Sequence, residues 1–403
     1  MQIRSITLFL HPRWPLSELV LQKAGIFAQH ARKTFQNAGY EVQSIRLATP
    51  PFHSFVPPED YLKMVNALEI LAHSEGFEYV SLGPAATDKP ESYAAIPDML
   101  ARTGSTFFGG HLTTPEGEVS LPAVRACAEV IHAVAPLEKN GFANLRFAAL
   151  ANVPPWAPFF PAAYHRGKAP AFALALEAAD LAVEIFSSAD SLAGARSELV
   201  KVVQDHARLL EEKSRTLAAA YKMDFKGLDF TLAPFPTQAR SIGTAMEGLG
   251  LAAVGLSGSL AAAAFLTDTL DRANYTRTGF NGLMLPVLED ATLAQRAEEG
   301  LLSVTDLLLY SAVCGTGLDT IPLPGSTSVE QLEAILLDLA ALALRLDKPL
   351  TARLMPIPGM SAGDITGFDF DYFANSRVLQ VDAQPLTGLL VGDEAIPISP
   401  RKR

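Results

Sequence analysis

The chain reads as an α/β protein with buried, mostly parallel strands in one large domain, on three observations. Short β-rich runs alternate in the first half with stretches of apolar residues at helical spacing, which is the pattern of βα units. In the second half, apolar strands repeatedly leave into proline-bearing turns. Finally, 403 residues at 49% hydrophobic composition can bury a large core. Length alone admits one unit or two to three domains, but no Pro/Gly/Ser linker, low-complexity tract or fixed-period repeat divides the chain, so a single domain over 1–403 is preferred.

Within it, residues 1–150 form an N-terminal βα half. Ile3 to Leu10, Gln43 to Ala48, Tyr79 to Leu82, Thr106 to Gly109 and Arg146 to Ala151 read as strands, and Tyr61 to Ala72 and Leu121 to Val134 as helices. Residues 151–225 form a helical segment with two long patterns, Ala171 to Phe186 and Arg196 to Tyr221, the second carrying Glu211-Glu212-Lys213 on a solvated face. Residues 226–403 carry most of the motifs. The uncharged run Leu249 to Thr267 has a membrane-span length, yet its Gly255-Leu-Ser-Gly-Ser259 centre would break a spanning helix and it has no basic flank; it reads as a tightly packed loop and helix.

A formal charge of −11 argues against nucleic-acid or anionic-membrane partners, because its field repels phosphates. The closing Arg401-Lys402-Arg403 is too short to reverse that and reads as a solvated tail. Two cysteines give no disulfide framework, and the opening ten residues lack a signal peptide's apolar region and cleavage site, so a reducing cytoplasm is expected.

Proline cannot donate to a ladder, so each proline-bearing turn marks a strand end or edge. These turns follow Leu150, Leu232, Leu285, Ile321 and Met355. If the strand ends converge, as they do in α/β barrels and open sheets, the polar residues beside them form one pocket.

Cys314 follows the apolar helix pattern Leu301 to Val313, and Gly315 stands where a left-handed cap would. A helix C-terminus opposes thiolate formation, and no histidine follows His206, so a Cys–His mechanism would need one from the first half; a small buried cysteine in a tight corner is an equal reading. Glu289 and Asp290 are adjacent and should point to opposite sides. Asp290 is most simply a helix N-cap, leaving Glu289 as the acid–base or metal candidate. Asp229, inside an apolar run, needs a partner, a cation or solvent, and Asp319 has the same ambiguity, with a turn role added.

Arg353 interrupts an apolar strand and could hold a carboxylate or phosphate bidentately, or pair with one of these acids. Ser259 sits in a glycine-rich turn that could cradle an anion or simply pack closely; neither a P-loop lysine nor a dinucleotide fingerprint is present, so no NAD is expected. His165, in Phe159-Phe-Pro-Ala-Ala-Tyr-His165, is the histidine placed best to reach a site, though a loop histidine is commonly just exposed. Asp364 and Asp369, in Gly363-Asp-Ile-Thr-Gly-Phe-Asp-Phe-Asp371, could hold Mg²⁺ or Ca²⁺, with exposed turn chemistry as the default.

These motifs resemble an uncharacterised family, domain of unknown function number seven hundred and eleven, commonly labelled pyruvate formate-lyase-like. The likeness rests on Gly227 to Pro236, Phe280 to Asp290, Tyr310 to Gly325, Lys348 to Gly359 and Phe159 to His165. It implies an α/β barrel of the glycyl-radical-enzyme type, a cysteine loop entering the barrel, and a homodimer, but no established activity. The C-terminal glycines, in Pro385-Leu-Thr-Gly-Leu-Leu-Val-Gly-Asp393, do not match the radical-bearing segment, so no glycyl radical is expected, and no PLP.

The sequence-based expectation is therefore a cytoplasmic small-molecule enzyme, lyase- or hydrolase-like on a small carboxylate. Arg353, His165 and Ser259 would bind substrate, and Cys314, Glu289, Asp319 and Asp229 would carry chemistry. The alternative is a non-catalytic metabolite-binding or regulatory protein using the same pocket.

Overall fold

The computed structural model describes residues 1–401; Lys402 and Arg403 of the basic tail lie outside the described residues. Eleven strands are formed: β1 (Gln2–Phe9), β2 (Val42–Pro51), β3 (Tyr79–Gly83), β4 (Thr106–His111), β5 (Glu118–Ser120), β6 (Phe147–Ala151), β7 (Ala171–Glu177), β8 (Asp224–Ala233), β9 (Gly317–Pro324), β10 (Leu350–Ile357) and β11 (Ala395–Pro397). Nine form one sheet in the order β8-β7-β1-β2-β3-β4-β6-β10-β9, and β5 pairs with β11.

Direction divides this sheet into blocks. β1, β2, β3, β4 and β6 are mutually parallel, while β7 and β10 pair antiparallel to the ends of that block and carry β8 and β9 parallel to themselves. The mostly parallel α/β expectation is met. Continuous strand pairing does not close the sheet into a barrel. Its two edges instead share one irregular neighbour: Arg277 bridges Leu228 of β8, Pro286 bridges Asp319 of β9, both in parallel sense. Backbone bonds from Leu228 to Thr276, Leu232 to Gly282 and Gly315 to Leu283 continue this contact. The contact is close: a methyl group on Gly282 would overlap the Gly315 Cα.

Helices supply the largest apolar cluster, packing Phe27, Leu68, Leu199, Leu336 and their neighbours against the outward-facing strand residues. The other face is filled by loop rather than helix. Thr7 donates to the Pro158 carbonyl and Ser81 to that of Ala163, while Phe160 and Ala163 pack on Ala48 and Ala173. Small inward residues leave room for Phe159 to His165, so this loop, and not the cysteine loop, occupies the concave side.

One helical expectation fails. Ala171–Glu177 is strand β7, and the helix begins only at Ala179. Every residue of β7 is buried, so no polar face revealed its period of two. Proline-terminated ends also fail to converge completely: β8, β9 and β10 run opposite to β6, so the Pro154-Pro155 turn lies at the other end of the sheet. Among the described residues, no helix is long and apolar enough to cross a membrane, and Leu249 to Thr267 resolves into loop and the helix Ser259–Asp271.

Candidate functional site

A run of alternating charges crosses the concave face from the end of β7 past the start of β1 to the middle of β10 and the early part of β9. Glu177 accepts from Arg4 at 3.1 Å, Arg4 donates to Glu289 at 2.7 Å, Glu289 accepts from Arg353 at 2.7 Å, and Arg353 Nε donates to Asp319 at 2.6 Å. Arg240, Gln2 and Gln43 complete the shell of Glu177. Each carboxylate therefore meets fixed donors, which offsets the cost of burying it. The guanidinium groups of Arg353 and Arg4 hold the Glu289 carboxyl below the usual range despite its burial.

Backbone irregularity aims the last pair. Between Leu318–Ala352 and Ile321–Leu354, two residues of β9 face Arg353 alone, a bulge that lets the Asp319 side chain meet it. Thr320, the second bulge residue, has φ 44, an outlier for a β-branched residue, and its buried hydroxyl has no protein partner.

Beside this run lies a cavity of about 290 Å³ lined in part by Arg4, Arg46, Arg353, Glu289, Tyr79 and Tyr372. Arg46 differs from the other two arginines. Among the described residues it has no carboxylate partner; Nε donates to Ser44 at 2.9 Å, and the guanidinium lies 5.1 Å from the Phe160 ring centre and 5.6 Å from that of Tyr79. Burial, then the nearby Arg4 charge, push its pKa down to about 10. Along this run four guanidinium groups, Arg4, Arg46, Arg240 and Arg353, face the three carboxylates Glu177, Glu289 and Asp319, while the cavity wall also carries Glu78, paired with Arg32, and Glu138, paired with Arg146.

The structure gathers Glu289, Asp319 and Arg353 from the sequence candidates and places the others elsewhere. Cys314, 1% exposed, is packed in the helix-side core and does not line the cavity. Its helix ends at Ser311, and Gly315 serves close packing against Gly282 instead of a left-handed cap; the positive φ belongs to Gly317. Lys348 caps this terminus by donating to the Ser311 and Cys314 carbonyls. The loop therefore presents backbone, not thiol, to its surroundings.

Asp229 is fully buried and accepts from the Thr231 amide and hydroxyl and from the Phe280 and Asn281 amides, so it clamps the segment between the sheet edges. Ser259 accepts from Gly255 N–H and donates to Leu256, fixing its own turn. His165 is 1% exposed with both ring nitrogens lacking protein partners; burial, then His11 and Lys226, lower its pKa to about 4. It belongs near His11, at the far end of β1 from Arg4. Asp364 caps a turn by accepting from Ser361, and Asp369 is exposed; no group of three or more metal-ligating side chains is found among the described residues. The loop that carries them contributes Phe370 and Tyr372 to the cavity wall instead.

Sequence reasoning passed over Arg4, Arg46 and Glu177. Ser44 and Arg46, two apart in an apolar strand, share one face and were a usable signal. Arg4 was similar; Glu177 was hidden by the misread helix.

Residues 1–374 match the model of an uncharacterised family, Uncharacterised ACR (DUF711), and the chain belongs to that family. It is 30% identical over 392 residues to the UPF0210 protein of Pyrobaculum arsenaticum, covering 91% of this chain and 84% of the relative. The UPF0210 protein of Acetivibrio thermocellus is 29% identical over 331 residues, covering 77% and 72%, and that of Methanococcoides burtonii 28% over 326 residues, covering 77% and 72%. The match includes the first 150 residues, which lie outside the segments that carried the resemblance in the sequence. None of these names an activity, and none carries the pyruvate formate-lyase-like label.

Proposed function

We propose that the arginine-lined cavity binds a small anionic metabolite, a carboxylate or phosphate on a compact body with an apolar or aromatic face. Arg46 carries this reading. A guanidinium set among aromatic rings with its pKa lowered and no carboxylate partner is a charge whose stabilisation is incomplete, and a ligand anion would complete it. Arg353, the sequence's anion binder, is saturated by Glu289 and Asp319 and would act by holding the wall in place. A thermal-shift series with inorganic phosphate and acetate tests this: either anion should raise the melting temperature of the wild-type chain and leave Arg46→Ala unmoved, because a ligand bound only to the folded state stabilises it. An equal response in both proteins sinks the assignment.

Lyase- or hydrolase-like chemistry on the bound carboxylate is a second reading. The strained Asp319–Thr320 bulge beside the Glu289–Arg353 pair favours it, since strained backbone concentrates at functional sites. Glu289 would be the base, and Cys314 would take no part. No reaction step here is assigned to a metal or other cofactor. A divalent cation would find its carboxylates at Asp364 and Asp369. The two buried free cysteines support a cytoplasmic setting. We further read the sheet and its bridging segment as an incompletely closed barrel, and the chain as a homodimer, which light scattering would test.

A further inference from the structure

The far end of β1 carries a second concavity, of about 600 Å³, beside the first turns of the helix Glu18–Asn37. Counting from Arg4 to His11 along the strand, it lies roughly 23 Å from the arginine cavity. Its rim holds His11, Arg13, Lys23 and Lys168, and no acidic residue lines it. Among the described residues, none of Arg13, Lys23 and Lys168 takes part in a salt bridge, although acids outnumber bases in the chain overall.

Its floor is apolar. Leu10, Val20, Ala24, Ile26, Tyr221 and Met223 line it, and Ile26 is 57% exposed. The rim is also shaped by backbone: Arg13 has φ 67, a left-handed backbone conformation that costs free energy, and its backbone N–H donates to His11 Nδ1 at 3.1 Å.

Unpaired cations around an exposed apolar floor match a ligand that joins a compact anion to an apolar body. We propose that this concavity is a second binding site, independent of the arginine cavity, for a phosphate monoester with an aliphatic or aromatic body. Three permanent cations favour a dianion over a carboxylate, because each adds to the field at one headgroup. The apolar floor favours an ester over inorganic phosphate by the area it removes from water.

The test is calorimetric titration of the full-length Arg46→Ala chain, in which the arginine cavity has lost its unpaired cation, with monomeric octyl phosphate, inorganic phosphate and octyl glucoside. One octyl phosphate per chain should bind that variant at least tenfold more tightly than either control. Adding the charge reversals Lys23→Glu and Lys168→Glu, at exposed positions that leave the core intact, should weaken it at least tenfold. Equal binding of inorganic phosphate or octyl glucoside, binding that survives the charge reversal, or no octyl phosphate binding to Arg46→Ala would each overturn the proposal.

Discussion

Glu289 and Asp290 are chemically near-identical neighbours that serve two different regions of the molecule. Glu289, in a turn closed by its own N–H to the Pro286 carbonyl, faces the cavity and meets two guanidinium groups. Asp290 faces the helical layer, where no cation meets it. It accepts from the Thr292 and Leu293 amides at the start of its own helix and from the Ile242 and Gly243 amides and Ser241 hydroxyl at the start of another. One carboxylate is balanced by two paired guanidinium groups beside a cavity; the other is balanced by the N-termini of two helices. The difference teaches how to separate a site from a structural clamp: both carboxylates are buried, and only the first has a neighbouring cation with capacity left over.

Deleting the clamp should have the largest effect. Asp290→Ala leaves five donors at two helix starts without an acceptor, and should cost about 4 kcal/mol in chemical denaturation, with no ligand able to restore it. Should the loss stay under about 1 kcal/mol, the two carboxylates do not differ as described.

Gly279→Ala probes the second clamp. Gly279 has φ 75, and a methyl group there would overlap the Asp229 carboxylate, so this change should cost about 3 kcal/mol and loosen the segment between the sheet edges. Faster amide exchange at Phe280 and Asn281 than elsewhere in the sheet would check it; uniform exchange would contradict the clamp.

Glu289→Gln acts on the cavity side and should cost less, about 2 kcal/mol, because Arg4 and Arg353 keep their other partners. Its signature is functional: removing one negative charge should tighten binding of inorganic phosphate, which Asp290→Ala should not do. The folded-state pKa of Glu289 is depressed, so its pairing stabilises the fold above the unfolded carboxyl pKa and is lost as pH falls through the folded value. Glu289→Gln should therefore flatten the acid limb of a stability–pH curve.

A distinct pH dependence belongs to neither carboxylate. His111 and His165 have folded-state pKa values lowered by burial to about 4, against an unfolded value near 6.5. Between these limits the unfolded chain binds more protons, so stability should fall as pH drops from about 6.5 to 4, by up to about 1.4 kcal/mol per pH unit for each histidine. His165→Gln should remove part of that slope; an unchanged slope would mean His165 is solvated.

Much of the site was legible as residue type and little of it as geometry. Glu289, Asp319 and Arg353 stood out because a charge inside an apolar strand must find a partner, and they found one another. Cys314 stood out for the same kind of reason, an unusual residue at a helix end beside glycines, but the glycines there answer to a backbone crossing with Gly282 that lies 33 residues away in sequence and leaves no local trace. Arg46 could be found from its place on one strand face with Ser44, but what sets it apart, the lack of a carboxylate partner among the described residues, cannot be read from a string of residues.

What the sequence determined by itself was local: strand and helix periods across the first half, the N-cap at Asp290, the charge balance and the absence of dinucleotide and P-loop motifs. Those follow from interactions within a few residues, which spacing encodes directly. The tertiary structure alone decided strand direction, the loop that fills the concave face, the alternating run from Glu177 to Asp319, and which cation remained without a partner. Each of these depends on residues that folding brings together from dozens to hundreds of positions apart, where the energy lies in mutual burial and pairing and not in any one segment's preference.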